Sequence, residues 1–462
     1  MPTILGANTL SSGYDVANSL RFNAADSPKL SKTISDGHDT NATFSCWFKR
    51  SKIGEAQTLF EVYEDSSNFF RVRLEADDLL QVRDMESGAN QTRLKTTQVF
   101  TDVSAWYNVV VIVDTTDGTA GDRCKIFING TRVTSFGTEV NYDQNDVIQA
   151  GVNGSSAMLG GAGANNNYLD GYIAEAVFLD GTSQAVSGFG EFDEDSPTIW
   201  KPIDVSGLTF GTNGFYLDFE DSSNLGNDKN GGTDLTETNI VAADQSTDTC
   251  TNNFCTLNPL YNHDGSYTLS EGNTQFLGTG GNDHTLGTLG VQGSGKWYFE
   301  VEFDTNKEAC YAGFADSDLA NNLASDAAGV TTFIGMYRDD ETLNIGGSSE
   351  GAYTSVANGD IFGFAMNLDA SSGSRTVIIQ KNGSTIDTIT IPTANEDNIF
   401  IPIVGDTSSS DGLLKCNFGG TPNPTPSSGV ADANGHGSFE YNPTISGVDY
   451  LALCTKNLAE FG

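Results

Sequence analysis

Trp106–Asp114 reads WYNVVVIVD and Lys125–Phe136 reads KIFINGTRVTSF, and these two stretches decide the fold. The first is a β-branched run, the pattern of a strand near the middle of a sheet and covered on both faces. The second is two short strands joined by Asn129-Gly130, a pair that takes the positive φ values a tight type I′ hairpin demands. Upstream, Phe44, Cys46 and Phe48 alternate with Thr43, Ser45, Trp47 and Lys49, as expected of a half-buried strand. Downstream, YLDGYIAEAVFLDG (Tyr168–Gly181) alternates again, and the side carrying Tyr172, Ala174, Ala176 and Phe178 is expected to face the core, with Ile173, Glu175 and Val177 opposite.

Between Gly181 and His263 prolines and Asn, Asp, Gly and Ser dominate, as in DSSNLGNDKNGGTD from Asp221. Trp200, Phe210, Phe215, Tyr216, Leu217 and Phe219 give this connector apolar anchors, so it is expected to pack on its neighbours, with a short helix possible at 189–200. A second set of strands is clearest at KWYFEVEF (Lys296–Phe303), which puts Trp297, Phe299, Val301 and Phe303 on one face and Tyr298, Glu300 and Glu302 on the other. Later segments include a hairpin turning at Asn382-Gly383 and a last strand at 413–418. The proline-rich TPNPTPSSG (Thr421–Gly429) opens what reads as a peripheral appendage.

The fold class expected is therefore all-β: two antiparallel β-sandwich, jelly-roll-like domains in series with a loop-rich connector. The expected organisation is an N-terminal arm (1–18), a first sandwich (19–180), a connecting region (181–261), a second sandwich (262–420) and a C-terminal extension (421–462). A chain of 462 residues is long enough for two cores of ordinary size.

Charge excludes one partner class. Lys and Arg number 23 against 61 Asp and Glu, a formal net charge of -38, and phosphate recognition depends on basic residues releasing counterions, so no nucleic-acid partner is expected. The start of the chain lacks the pattern of a leader and no stretch reaches the ~20 apolar residues of a membrane span, so a protein made in the cytoplasm, without membrane insertion, is expected. The seven cysteines are dispersed without zinc-site spacing and are expected as reduced thiols, a bridge between Cys250 and Cys255 being left open. His38, His263, His284 and His436 sit in polar, turn-like segments and read as surface histidines. Five Asn-x-Ser/Thr triplets, at Asn41, Asn90, Asn129, Asn153 and Asn382, are explained mainly by turn geometry.

The sequence resembles known families. SLRFN (19–23), WYNVVVIVD, KIFINGTRV and YLDGYIAEAVFLDG together resemble a laminin G-like domain of the concanavalin A-like lectin class. GKWYFEVEF, YAGFAD, GDIFGFAMNLD, QKNGSTI and CNFGG, in that order, resemble a SPRY domain. Their pairing, with LGANTLSSGYDVANSLRF at the start and YLALCTKNL near the end, is similar to tail and fibre proteins of bacteriophages, marine ones in particular.

These resemblances imply a non-enzymatic virion surface appendage that binds a host surface glycan or protein and other virion proteins, as a homo-oligomer with a trimer first in expectation. A head-decoration or assembly protein is the alternative, and a glycan hydrolase, which needs paired carboxylates in a groove, a weaker one. Both sandwich families bind through loops at an edge or end, which makes 63–68, 162–168 and 338–353 the candidate loops, with Tyr63, Asn68, Asn166, Tyr168, Arg338 and Tyr353 as ligand-binding candidates. Laminin G-like domains can hold calcium at the sandwich rim, and DTTDGTAGD places Asp114, Asp117 and Asp122 near one another, a hard-cation candidate weighed against an ordinary polar loop. Calcium is the one cofactor entertained.

Overall fold

A computed structural model describes residues 13–163, 167–261, 267–279, 283–305, 310–316, 333–337, 342–345, 348–352, 356–406 and 411–462, with backbone alone at 342–345 and 348–352. The chain divides into two compact units, Leu5–Thr251 and Asn252–Gly462.

In the first unit one sheet runs in the order β10 (Thr131–Arg132), β9 (Cys124–Ile128), β8 (Trp106–Asp114), β3 (Asn41–Arg50), β13 (Gly171–Asp180), β1 (Ser19–Phe22), β18 (Gln245–Ser246), and β16 (Phe215–Leu217) also pairs with β13. The other runs β11 (Phe136–Val140), β7 (Ala89–Val99), β6 (Leu79–Glu86), β5 (Asn68–Leu74), β4 (Gln57–Asp65), β12 (Ser156–Leu159), β2 (Lys29–Thr33), β17 (Thr236–Thr238). All of these pairings are antiparallel. Alternate residues of both sheets meet in one core: Phe44, Cys46 and Phe48 from β3, Val109, Val111 and Val113 from β8, and Phe60, Val62, Phe70, Val72 and Val82 from the second sheet. The Phe44 and Phe60 rings stack with centroids 4.5 Å apart, an anchor between the sheets. Asn129 and Gly130 have φ of 46° and 73°, as the I′ hairpin requires.

The outer face of the first sheet is also buried. Val110, Ile112, Val177 and Leu179 pack under Phe189, Val205, Phe210 and Tyr216. Trp47, Trp106, Tyr172 and Ala174 pack with Val16, Trp200 and Cys250. The segment expected as a connector is therefore the last part of the first unit. It supplies β16, β17 and β18, which extend both sheets, and 189–200 forms no helix but part of a hairpin between β14 (Gly190–Phe192) and β15 (Trp200–Pro202). This is also why β3 is buried on both faces rather than half-buried, with Trp47 2% exposed and Lys49 1%.

One register expectation fails for a local reason. Along β13, Ile173, Ala176 and Phe178 face the core while Tyr172, Ala174, Val177 and Leu179 face outward. A β-bulge between Ala174 and Val177, with Glu175 at φ 49°, inserts one residue and swaps the faces in mid-strand.

In the second unit one sheet runs β19 (Tyr267–Ser270), β20 (Gln275–Gly278), β31 (Leu413–Asn417), β22 (Lys296–Thr305), β27 (Asp360–Asn367), β28 (Thr376–Lys381), β29 (Ser384–Thr390), and the other β21 (Asp283–Leu286), β30 (Phe400–Asp406), β23 (Cys310–Asp316), β24 (Phe333–Tyr337), β25 (Thr342–Ile345), β26 (Ser348–Ala352). Trp297, Phe299, Val301 and Phe303 lie in its core, as the alternation requires. Asn382 and Gly383, with φ of 48° and 76°, turn the β28–β29 hairpin.

The C-terminal extension is not peripheral. After a small hairpin, β32 (Thr444–Ile445) and β33 (Val448–Asp449), β34 (Leu451–Ala452) pairs in parallel with β22, and Phe439, Tyr450 and Cys454 pack on Tyr298. Buried Glu300 holds this layer, accepting hydrogen bonds from Tyr298, Asn417 and the backbone N–H groups of Glu440 and Tyr441 at 2.8–3.1 Å. A seven-residue helix α1 (Thr455–Phe461) ends the chain.

All seven cysteines are buried thiols outside any disulfide, Cys250 and Cys255 included. His284 departs from the surface expectation: it is fully buried in β21, the edge strand paired to β30, because the rings of Tyr261 and Tyr311 pack about it at 5.8 Å and 6.5 Å. No helix among the described residues is long and apolar enough to cross a membrane.

Candidate functional site

The second sheet of the first unit differs from the first sheet in one respect: its outer face carries no packed hydrophobic layer among the described residues. Because Phe60, Val62, Phe70, Val72, Val82 and Leu94 point into the core, strand alternation sends Glu61, Tyr63, Phe69, Arg71, Arg73, Arg83, Arg93 and Lys95 to the outer side. Register then lines them up. Tyr63 lies opposite Phe69, and Phe69 opposite Met85. In the next row Glu61 lies opposite Arg71, Arg71 opposite Arg83, and Arg83 opposite Arg93.

The charges on this face are partly matched. Arg71 is buried and pairs with Glu61, its Nε 2.6 Å from Oε1, while Arg73 grips Glu75 and Lys95 reaches Asp77 at 2.6 Å. The guanidinium carbons of Arg71 and Arg83 sit 4.2 Å and 5.7 Å from the centre of the Phe69 ring, within cation–π range. Arg83 donates to the Asn90 side chain at 2.7 Å. Burial, together with the neighbouring charges of Arg93, Arg71 and Arg73, pushes the Arg83 pKa down. The Arg93 Nε is buried without a hydrogen-bond partner.

Two candidate aromatics meet at one edge of this face. β12 pairs with β4, and the chain that leaves it folds back so that Gly163 N–H donates to Glu61 Oε2 at 2.7 Å. A Cβ at Gly163 would overlap the Tyr63 ring, and one at Gly161 would lie 3.2 Å from the Tyr168 ring, so the two half-buried tyrosines flank one glycine segment that lets them approach the backbone. Asn68 has a structural role instead: it closes the β4–β5 turn by donating to Asp65 at 3.0–3.1 Å and accepting from Ser87 N–H at 2.8 Å. Asn166, Arg338 and Tyr353 lie outside the described residues. The arginine row was not among the sequence candidates, although Arg71, Arg73, Arg83 and Arg93 stand on the polar phase of alternating strands and could have been found there.

The proposed calcium set does not come together as ligands. Asp114 Oδ1 accepts from Thr116 Oγ1 at 2.6 Å, Asp117 Oδ1 from Thr119 N–H at 2.8 Å, and Asp122 pairs with Arg132 at 2.6 Å. Each carboxylate is taken by its own turn or a neighbouring cation, and no group of three or more His, Cys, Asp or Glu among the described residues is placed to hold a metal ion.

Glu175 is the other unusual group. Strained at φ 49° and buried, it is bonded by the hydroxyls of Tyr216 at 2.9–3.0 Å and Tyr14 at 3.3 Å, and burial pushes its pKa up to about 8. It borders a shallow recess with Ser45, Trp47, Phe189 and Val205 that is too tight for a water molecule. It acts as a clamp that ties the segment before β1 to β13 and β16.

Residues 9–185 match the family model described as the concanavalin A-like lectin/glucanases superfamily, so the first sandwich is laminin G-like. Among solved structures the chain is similar to domains LG4-5 of the mouse laminin alpha1 chain (11% identity, TM-score 0.31, covering 89% of this chain and 90% of that one). It is also similar to the SPRY domain of human HERC1 (16% identity, TM-score 0.29, covering 35% and 96%) and to a heptameric SAP-like pentraxin from Limulus polyphemus (13% identity, TM-score 0.28, covering 36% and 78%). A search of curated proteins finds no matching relative.

Proposed function

We propose that this chain is a non-enzymatic binding protein that recognises a surface glycan through the outer face of the second sheet of its first sandwich, and that it serves on a virion appendage. The observation that carries the binding reading is that face: a sheet side with no packed layer over it, on which Tyr63 and Tyr168 flank a glycine segment beside Phe69 and a row of guanidinium groups. Aromatic rings and planar guanidinia on a rigid sheet are what a sugar needs for stacking and forked hydrogen bonds. The laminin G-like match supports a binding module, and the setting is taken from the resemblance of LGANTLSSGYDVANSLRF and YLALCTKNL to phage tail and fibre proteins. Other virion subunits and a homo-oligomer belong to the same proposal.

The test is retention on immobilised host surface polysaccharide, neutral and acidic, by the full chain and by Y63A/Y168A. Retention that falls in the variant is expected; if the wild-type chain holds no glycan, the reading is wrong. A reducing-end assay on the same polysaccharides is expected to show no new ends, and their appearance would establish the hydrolase alternative. Electron microscopy of particles with this subunit labelled decides between tail appendage and head decoration.

A further inference from the structure

Arg71, Arg83 and Arg93 lie directly opposite one another on three neighbouring strands, in a chain whose net charge is -38. Like charges in directly opposed cross-strand positions destabilise a sheet, so such a row works against the fold unless something anionic offsets it. Only the first member has an ion partner: Arg71 holds Glu61, whereas among the described residues neither Arg83 nor Arg93 has a carboxylate at ion-pair distance. The next row adds Arg73, so that four of the ten arginines in the sequence stand on β5, β6 and β7. At the usual strand spacing of about 4.8 Å the three opposed guanidinia span roughly 10 Å.

We propose that this row is an oxyanion-binding site for an acidic polysaccharide, with Arg83 and Arg93 taking carboxylate or sulfate groups of successive sugars while half-buried Tyr63 supports a ring and buried Phe69 holds the Arg71 and Arg83 guanidinia in place. The assignment rests on the glycan-binding reading above and names the class of glycan. A sheet face presents side chains and no free backbone groups, so it does not suit a peptide, which binds by adding a strand to an edge. A duplex nucleic acid carries one charge per ~1.7 Å, a density that the acidic remainder of the chain opposes. A glycan with one oxyanion per sugar or per disaccharide matches the spacing of the row. Carboxylates beyond a Debye length, about 8 Å at physiological ionic strength, are largely screened from the site. The pairs Arg73–Glu75 and Lys95–Asp77 neutralise its flank, leaving Arg83 and Arg93 as the open charges.

The experiment measures binding of the full chain, wild type, R83Q/R93Q and the control K52Q, whose lysine is exposed elsewhere, to dextran sulfate, polygalacturonate and uncharged dextran. Binding to at least one charged polymer is expected, weakening by about tenfold or more in R83Q/R93Q and unchanged in K52Q, since two charge-assisted hydrogen bonds are lost. The two charged polymers separate sulfate from carboxylate as the preferred group. The variant is expected to melt no lower than wild type, because a like-charge repulsion is removed. Undiminished binding of a charged polymer by R83Q/R93Q overturns the proposal, as does equal binding to poly-aspartate or duplex DNA. Retention on neutral glycan that Y63A/Y168A abolishes but R83Q/R93Q does not leaves the glycan reading standing and removes this one, whereas no retention on any glycan removes both.

Discussion

The two outer faces of the first sandwich are built from the same strand alternation and have opposite fates. On the first sheet, segment 181–251 and the residues before β1 lay down Trp200, Phe210, Tyr216 and Val16, and even Lys49 is sealed beneath them. On the second sheet the equivalent positions carry Arg73, Arg83, Arg93 and Lys95, and no apolar layer follows among the described residues. Both faces hold charge; what differs is how it is neutralised. The closed face surrounds each buried ion with fixed partners, while on the open face Arg71 is sealed against Glu61 and Arg83 and Arg93 have no carboxylate at ion-pair distance among the described residues. Polar groups sealed away are expensive unless they are satisfied, so the closed face should be sensitive to single-atom changes and the open face tolerant of them outside its one sealed pair, Arg71–Glu61.

The largest expected effect lies at Asp248. Its Oδ2 holds Lys49 Nζ at 2.7 Å with both side chains essentially inaccessible, and its Oδ1 accepts from Trp106 Nε1 at 3.1 Å. D248A takes a buried carboxylate away from the Lys49 ammonium and the Trp106 indole N–H, and should cost about 3–5 kcal/mol of unfolding free energy. The double variant D248A/K49M should recover much of that loss, because the pair goes as a unit. Urea unfolding of the set checks both statements; equal stability of D248A and wild type would mean the face is not closed as described.

Next is Glu175, with an effect that depends on pH. Its pKa is raised in the folded protein to about 8, against 4.5 for the free side chain. Between those values the unfolded chain has released a proton that the folded chain keeps, so stability must fall as pH rises from about 4.5 to 8, by a few kcal/mol at most at roughly 1.4 kcal/mol per unit. Buried Asp84, raised to about 7 by the same cause and accepting from Tyr142 at 2.8 Å and Gln149 N–H at 2.9 Å, adds to the slope over its own window. E175Q removes the first contribution, so its melting temperature should decline less than wild type across that range. A wild-type profile that is flat or rising from pH 5 to 8 would contradict the raised values.

Much of this was legible in the sequence, and the failures have physical causes. Period-2 alternation in KWYFEVEF and the β-branched run WYNVVVIVD report which side chains are sequestered, and Asn129-Gly130 and Asn382-Gly383 encode φ > 0 locally. Three features were hidden because they depend on contacts distant in sequence. The 181–251 segment is poor in long strands, and its strands of two or three residues exist only because β1, β2 and β13 offer edges to them. The bulge at Glu175 exchanges the two faces of β13 with no glycine or proline to announce it. The arginine row needs the register of three strands, which alternation alone does not supply. At the site, Tyr63 and Tyr168 were found as aromatics in loops, but their meeting across Gly161 and Gly163 follows from the pairing of β12 with β4, over 90 residues apart in the chain. The net charge, read as a bar to polyanions, averages over a surface that is locally cationic.

The smallest effect sharpens the comparison from the open side. Arg73 and Glu75 form a two-oxygen contact at 2.7–2.8 Å, with side chains 15% and 17% exposed, two residues apart at the end of β5. By distance alone this pair equals Lys49–Asp248, and a count of ion pairs would rank them together. Water reaches one pair and not the other, so E75Q should cost under about 1 kcal/mol, an amount that shrinks further as salt screens it. The same substitution removes a negative charge beside Arg73 and Arg83, so it should strengthen dextran sulfate or polygalacturonate binding while it slightly weakens the fold. A loss approaching that of D248A would place the second sheet's outer face in the same sealed class as the first, and the contrast on which the glycan site rests would be gone.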